Sequence, residues 1–477
     1  LPTAVSQNIY DYLSSLYGNK SAEKYLNFID REPTQYIRVN TERISKNELA
    51  EILYSKYQIK TEPILYFEKV LKIADGNDKI GKTLEHILGF YYIQSLSSML
   101  PSLILNPTGD DLVLDLCGAP GSKSTQLADL MNNRGSLVIN EIDNERIKSL
   151  VYNLERMSVI NSSIIHSKGE LLSKVYDDYF TKVLVDAPCS GLGIIQKKGE
   201  ISNWWSLKHV DRLQQLQIRL LISAIKMAKV GAEIVYSTCT LSIEENELVI
   251  DKILQKYPVE VLNFELPIPF RPAFTEYEGQ KLNPELKKAI RVLPWEIDSD
   301  GFFLVKLRKI DVTEMSAKEF LRDAQIKLVR SNHKDIQPVL NYVSNHFGVD
   351  INVLDDYKYI FRGRDIYFVI KDWNENNIGL FNRIGLKFGT LDKKDRITFN
   401  SQAATVLDRY ITKFVYHLNN EEELKNYLTG WKIKDIDIPT GQYVIKYNNW
   451  TLGTAVKTGE ALKSRFPRTK RTQKFEF

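Results

Sequence analysis

From about residue 91 to residue 310 the chain alternates short apolar runs with longer amphipathic ones, a rhythm that predicts strands followed by helices. Asp111-Leu112-Val113-Leu114-Asp115-Leu116 reads as a buried strand, and a Gly/Pro loop separates it from a helix around Thr125 to Leu130. Ser136-Leu137-Val138-Ile139-Asn140 predicts a second strand, followed by a helix through Arg146, Leu150 and Leu154. Ile164-Ile165, Lys182-Val183-Leu184-Val185 and Glu233-Ile234-Val235-Tyr236 predict further strands, with a long helix from about His209 to Lys229 between the last two. Such alternation predicts a doubly wound α/β sheet whose ligands sit at the carboxyl ends of its strands. Asp300 to Leu307 reads as a returning strand that closes this unit, 91–310. Residues 1–90 read as helical and then mixed, with an amphipathic stretch opening at Ser21 and a strand at Tyr36 to Asn40. The stretch 311–395 reads as a linker, from Ile310 to Ala317, and an α+β region with a strand at Ile366 to Ile370; 396–477 ends in a β-rich basic segment.

With 43% apolar and 26% charged residues among 477, the chain can bury several cores, which excludes collagen-like and wholly disordered classes. No run approaches the roughly 18 apolar residues of a membrane span, and Leu1-Pro2-Thr3-Ala4 shows no basic-then-apolar leader. A cytoplasmic monomer with no membrane partner is expected. The three cysteines, Cys117, Cys189 and Cys239, are an odd and sparse set. They make no disulfide framework and contain no C-x-x-C pair, so no metal is expected. Net charge is only +4, but from Trp431 onward ten basic residues face four acidic ones. Tyr443, Tyr447, Trp450 and Phe466 are interleaved with them, which favours RNA binding over a solvated tail. Arg38 and Lys387 are further candidates for RNA contact.

Chemistry concentrates in three strand-end loops. In Cys117-Gly118-Ala119-Pro120-Gly121-Ser122-Lys123 two glycines allow a tight turn onto a helix N-terminus. A phosphate loop would need Gly directly before Lys-Ser, where this chain has Ser122, although Asp186 could mimic the magnesium-holding Asp of such proteins. The competing reading is a nucleoside cofactor site, with Glu141 at the end of the second strand accepting from the ribose hydroxyls. Asp186-Ala187-Pro188-Cys189-Ser190-Gly191 and Tyr236-Ser237-Thr238-Cys239-Thr240 each follow an apolar strand. A lone Cys is usually a small buried hydrophobe. Two at strand ends beside polar partners suggest nucleophilic work.

These three motifs, with Ile37-Arg38-Val39-Asn40, Gln94 to Met99, Arg291-Val292-Leu293-Pro294 and Asp300-Gly301-Phe302-Phe303, resemble the Nol1/Nop2/Sun family of RNA cytosine-C5 methyltransferases. The match runs in order from about 36 to 308 and is most similar to the bacterial ribosomal-RNA branch. Gly441 to Tyr447, Leu452-Gly453 and Leu462 to Pro467 resemble that branch's PUA-like RNA-binding extension. The resemblance implies a Rossmann-like class I methyltransferase sheet with an N-terminal RNA-binding addition, S-adenosylmethionine as cofactor, and small-subunit ribosomal RNA as partner. It implies Cys239 as the thiol that attacks C6 and Cys189 as the thiol that assists release. Asp186 would lie between cofactor and base, and Cys117 to Lys123, Glu141, Lys168 and Asp186 would bind the cofactor. Lys168 departs from the family's usual Asp, and a Lys cannot accept from the adenine amino group, so either weaker cofactor binding or a backbone carbonyl in place of the carboxylate is expected. Lys197 and Lys198 stand where phosphate contacts are expected. A P-loop-like NTPase and a non-catalytic RNA-binding protein are the alternatives.

Overall fold

Strands of continuous Val, Leu and Ile suit burial on both faces, and here they form the middle of a ten-stranded mixed sheet. The computed structural model describes residues 5–314, 326–434 and 436–471. Seven strands of this sheet surround the site: β1 Leu112–Asp115, β2 Ser136–Glu141, β3 Ser162–His166, β4 Phe180–Asp186, β5 Ala228–Thr238, β6 Ile290–Val292 and β7 Phe302–Lys309. Their spatial order is β6-β7-β5-β4-β1-β2-β3. Strands β1 to β5 run parallel, while β7 is antiparallel to both β5 and β6. The chain winds outward from β1 to β3, then returns to β4 on the other side of β1. This reversal opens a crevice at the carboxyl ends of β1 and β4.

Helix α1, Ser122–Leu130, leaves the first loop, and α2, Asn144–Arg156, follows β2. Asp143 caps α2 by accepting from the Glu145 and Arg146 N–H groups. Helix α3, Leu207–Met227, buries Val210, Gln214, Gln217, Leu220, Leu221 and Ala224, the spacing of one inward face. Helix α4, Glu247–Leu254, follows the loop after β5.

The N-terminal part is a helix pair, Gln7–Tyr17 and Asn19–Ile29, and a four-stranded sheet. Tyr91–Ile93, expected to open the catalytic unit, instead pairs antiparallel with Tyr36–Val39 of this sheet. The expected boundary at 90 therefore cuts just before a strand of the N-terminal sheet. Arg38 is also corrected: it is 2% exposed, donates to Gln94 Oε1 and Thr125 Oγ1, and pairs with Asp129. It is a strut between the N-terminal sheet and α1, out of reach of RNA.

Beyond β7 the expected linker runs partly into 315–325, outside the described residues. The C-terminal part holds two five-stranded sheets, one running from Lys327 to Phe399 and one from Val415 to Ser464. Lys387 is tied to Asp365 at 2.8 Å within the first. A separate strand, Phe381–Ile384, joins the catalytic sheet antiparallel to β3. The basic end is no loose appendage as far as it is described. Lys470 is 8% exposed with its ammonium 3.4 Å from the Ile87 carbonyl, and Tyr443, Ile445 and Leu452 share a core with Ile37 and Val39. No described helix is long and apolar enough to cross a membrane.

Candidate active site

The loop after β1 is fastened on both sides. Gly118 N–H donates to the Asn140 carbonyl of β2, and Leu116 N–H donates to the Leu184 carbonyl of β4. Gly121 caps α1 at φ +106°, a left-handed conformation that side chains rarely adopt. Beneath the loop Asp115 accepts from Ser124 Oγ at 2.7 Å, and burial pushes its carboxyl up to about 6. Glu141, 3% exposed at the end of β2, accepts from Ala119 N–H at 3.3 Å and Asp143 N–H at 3.0 Å. Arg146 joins it at 3.6 Å and also donates to the Ala119 carbonyl.

Lys123 reaches from α1 across the crevice. Its ammonium lies 2.6 Å from Asp186 Oδ2 and 3.1 Å from Ser98 Oγ. Burial works against that charge, but Asp186 outweighs it and holds the Lys123 pKa above its ordinary value. The other Asp186 oxygen accepts from Ser237 Oγ at 2.7 Å. A cleft of about 230 Å³ opens here, walled by Cys117 to Pro120, Ser122, Lys123, Asp186 and Cys239, together with Ser98, Arg146, Ile194, Asp300 and Phe302. A larger hollow of about 910 Å³ lies elsewhere, around Asp110, Asn132 and Arg134, and holds none of the motif residues. The motif residues cluster instead at the smaller cleft.

The two strand-end cysteines meet. Cys189, past β4, and Cys239, past β5, are half-buried, with sulfurs 3.2 Å apart. Register places Asp186 opposite Ser237, so the parallel pairing of β4 and β5 brings the two loops level. Backbone bonds then lock them: Gly193 N–H donates to the Cys239 carbonyl at 3.0 Å, and Gly301 N–H donates to the Gly193 carbonyl at 2.9 Å. A Cβ on Gly193 would fall 2.4 Å from the Gly301 oxygen, so this contact requires glycine. The bond to Cys239, then burial and nearby negative charge, push the Cys189 thiol well above its usual pKa. Burial does the same to Cys117, which stays a protonated part of the first loop.

Of the expected residues, Cys117 to Pro120, Ser122, Lys123, Asp186 and Cys239 wall the cleft, Gly121 lies within the first loop, and Glu141 and Cys189 touch the wall through Ala119 and Cys239; Lys168 does not join them. Lys168, after β3, is exposed and stands outside the cleft wall. His166 beside it is in register with Glu141 across β3 and β2. Lys197 pairs with Asp300 at 2.7 Å on the cleft rim, and Lys198 is exposed. Ser98, Arg146 and Ser237 were not singled out from sequence. Ser98 and Ser237 do fall inside quoted motifs, whereas nothing distinguishes Arg146 from any other basic residue on a helix.

Comparison with known proteins places this architecture. Residues 102–308 match the family model for 16S rRNA methyltransferase RsmB/F, and residues 1–96 match that for the N-terminal domain of 16S rRNA methyltransferase RsmF. A ribosomal RNA small subunit methyltransferase F of Shewanella piezotolerans is 32% identical over 461 residues, covering 94% of this chain and 93% of that protein. A tRNA (cytosine(49)-C(5))-methyltransferase of Pyrococcus abyssi is 34% identical over 289 residues, covering 60% of this chain and 92% of its own. A solved methyltransferase homologue from Pyrococcus horikoshii superposes with a TM-score of 0.57 at 32% identity, covering 65% of this chain and 96% of that one. The chain belongs to the RsmB/F methyltransferase family, and it is an RNA cytosine-C5 methyltransferase.

Proposed function

We propose that the protein uses S-adenosylmethionine to methylate a cytosine of 16S ribosomal RNA through a covalent Cys239–C6 adduct. The observation that carries this reading is the pair of thiols 3.2 Å apart at the ends of β4 and β5, beside the Lys123–Asp186 pair. The residues present suit the cofactor. Glu141 is a buried carboxylate with acceptor capacity beyond its two backbone bonds, which suits a ribose diol. Lys123 and Asp186 offer both signs of charge to an amino-acid zwitterion. When bound, S-adenosylmethionine supplies an electrophilic methyl group.

Cytosine C5 is a weak nucleophile until C6 is attacked. Addition of the Cys239 thiolate to C6 pushes electron density to C5, and the thiolate must later be expelled as the C5 proton leaves. Cys189, held in its thiol form, can donate its S–H to the departing Cys239 sulfur and, as the thiolate this leaves, would take the C5 proton, which restores both thiols. Asp186, fixed by Lys123 and Ser237, would face the polar edge of the base.

The C-terminal sheet supplies the RNA-binding face in this reading. Lys432 and Lys463 stand directly opposite each other on paired strands, a costly arrangement of like charge, and Trp431 beside them is 70% exposed. A polyanion that stacks its bases relieves the first and uses the second.

The cofactor assignment is tested by calorimetry. Glu141→Ala should lose a charged hydrogen bond costing ~1.5–3 kcal/mol, weakening S-adenosylmethionine binding roughly 10- to 150-fold. Unchanged affinity would sink the assignment. Transfer of labelled methyl groups to 16S ribosomal RNA, mapped by bisulfite sequencing, tests the substrate.

A further inference from the structure

Glu245 lies in the loop between β5 and α4, outside the cleft wall, yet it is 0% exposed. Four donors converge on its carboxylate: Ser190 N–H at 2.8 Å, Ser190 Oγ, Gln217 Nε2 at 2.9 Å and Ser242 Oγ at 2.7 Å. Its backbone carbonyl accepts from Tyr236 OH at 2.7 Å. Ser190 immediately follows Cys189, Ser242 lies three residues beyond Cys239, and Gln217, on α3, also donates to the Pro188 carbonyl. One side chain thus clasps both cysteine loops and the helix behind them. Ser190 Oγ and Thr240 Oγ1, 2.9 Å apart, close the ring.

We infer that Glu245 is the positioning residue of the thiol pair, setting the Cys189–Cys239 contact and keeping the proton of that pair on Cys189. The inference rests on the covalent reading above. Beside the bond to Cys239 and burial, a carboxylate clasped to the residue after Cys189 disfavours a second negative charge there, so Cys189 holds its proton. Glu245 makes this clasp from outside the cleft wall, so it leaves the cleft open to substrate. The fourfold clasp also leaves the loops little room to separate, and a thiol displaced by ~1 Å from its target can lose on the order of 100-fold in rate.

The test uses the full-length protein. In Glu245→Gln one neutral amide replaces the anion, keeping size and some acceptor capacity. Alkylation by iodoacetamide, followed residue by residue by mass spectrometry over a pH series, should show the Cys189 profile moved to lower pH. Turnover should fall on the order of 10- to 100-fold in kcat with little change in RNA KM or cofactor Kd. Ser242→Ala, which removes one donor, should move both readouts the same way by less, and it serves where the first variant does not fold. An unmoved Cys189 profile in either folded variant overturns the inference, as does a full wild-type kcat. Failure of the covalent reading has a different signature: a shifted Cys189 profile with no protein–RNA adduct in any variant, which removes the clasp's catalytic purpose.

Discussion

Replacing Cys239 by alanine is expected to abolish turnover together with every covalent protein–RNA adduct, because no other sulfur stands in its place in the cleft wall. Cys117 shares that wall, but burial keeps it protonated and it belongs to the first loop. Cys189→Ala should also lose turnover, yet still attack C6 through Cys239. It should accumulate RNA joined to protein as a species that survives a denaturing gel. Activity alone cannot separate these variants, since both are dead; the adduct can. An adduct in Cys239→Ala and none in Cys189→Ala would reverse the two roles. No adduct in either variant or the wild type, even with 5-azacytidine-substituted RNA, would argue against covalent catalysis.

The second large effect is one of stability. Arg291, 2% exposed on β6, lies against Glu247, 0% exposed in the first turn of α4, with Nε 2.6 Å from Oε1 and a second bond from Nη2 to Oε2. The guanidinium also meets the Leu241 carbonyl at 2.9 Å, the Tyr17 hydroxyl and the Phe274 ring. It ties together β6, the loop beyond Cys239 and the first N-terminal helix. Burial disfavours its charge, but Glu247 and Tyr17 more than offset this, so Arg291 stays charged. Removing one partner of such a buried pair strands the other charge and typically costs ~3–5 kcal/mol. Glu247→Ala should therefore lower the denaturant midpoint markedly, and Glu247→Leu/Arg291→Met should recover most of the loss. Equal midpoints for wild type and Glu247→Ala, followed by tryptophan fluorescence, would show the pair to be energetically silent.

The catalytic strands were readable because parallel strands, buried on both faces, appear as unbroken runs such as Leu112-Val113-Leu114 and Val183-Leu184-Val185. The loops were readable because Gly, Pro and Cys interrupt those runs at the carboxyl ends. What escaped is tertiary. Glu244-Glu245-Asn246-Glu247 has the composition of a solvated charge run, yet Glu245, Asn246 and Glu247 are all 0% exposed. The convergence of Ser190, Gln217 and Arg291 from separate elements, with Ser242 from the same loop, makes burial of the two carboxylates tolerable there. Arg38 shows the reverse: a basic residue on a strand reads as a candidate RNA contact, yet its partners Gln94, Thr125 and Asp129 come from elements that sequence spacing cannot bring near. Likewise, nothing in Phe381-Asn382-Arg383-Ile384 announces a pairing with β3.

That pairing bears on the order in which the protein is made. β3 leaves the ribosome with its outer row of N–H and C=O groups open, and the strand that covers it is encoded roughly 220 residues later. At ~5–20 residues per second this leaves the rim bare for roughly 10–40 seconds on each nascent chain. An uncovered β-edge beside Ile164 and Ile165 is a template for any other extended strand, including one from a neighbouring copy on the same message. That exposure thus falls within the protein's own synthesis: it begins before either cysteine loop has been made and ends only when Phe381–Ile384 arrives.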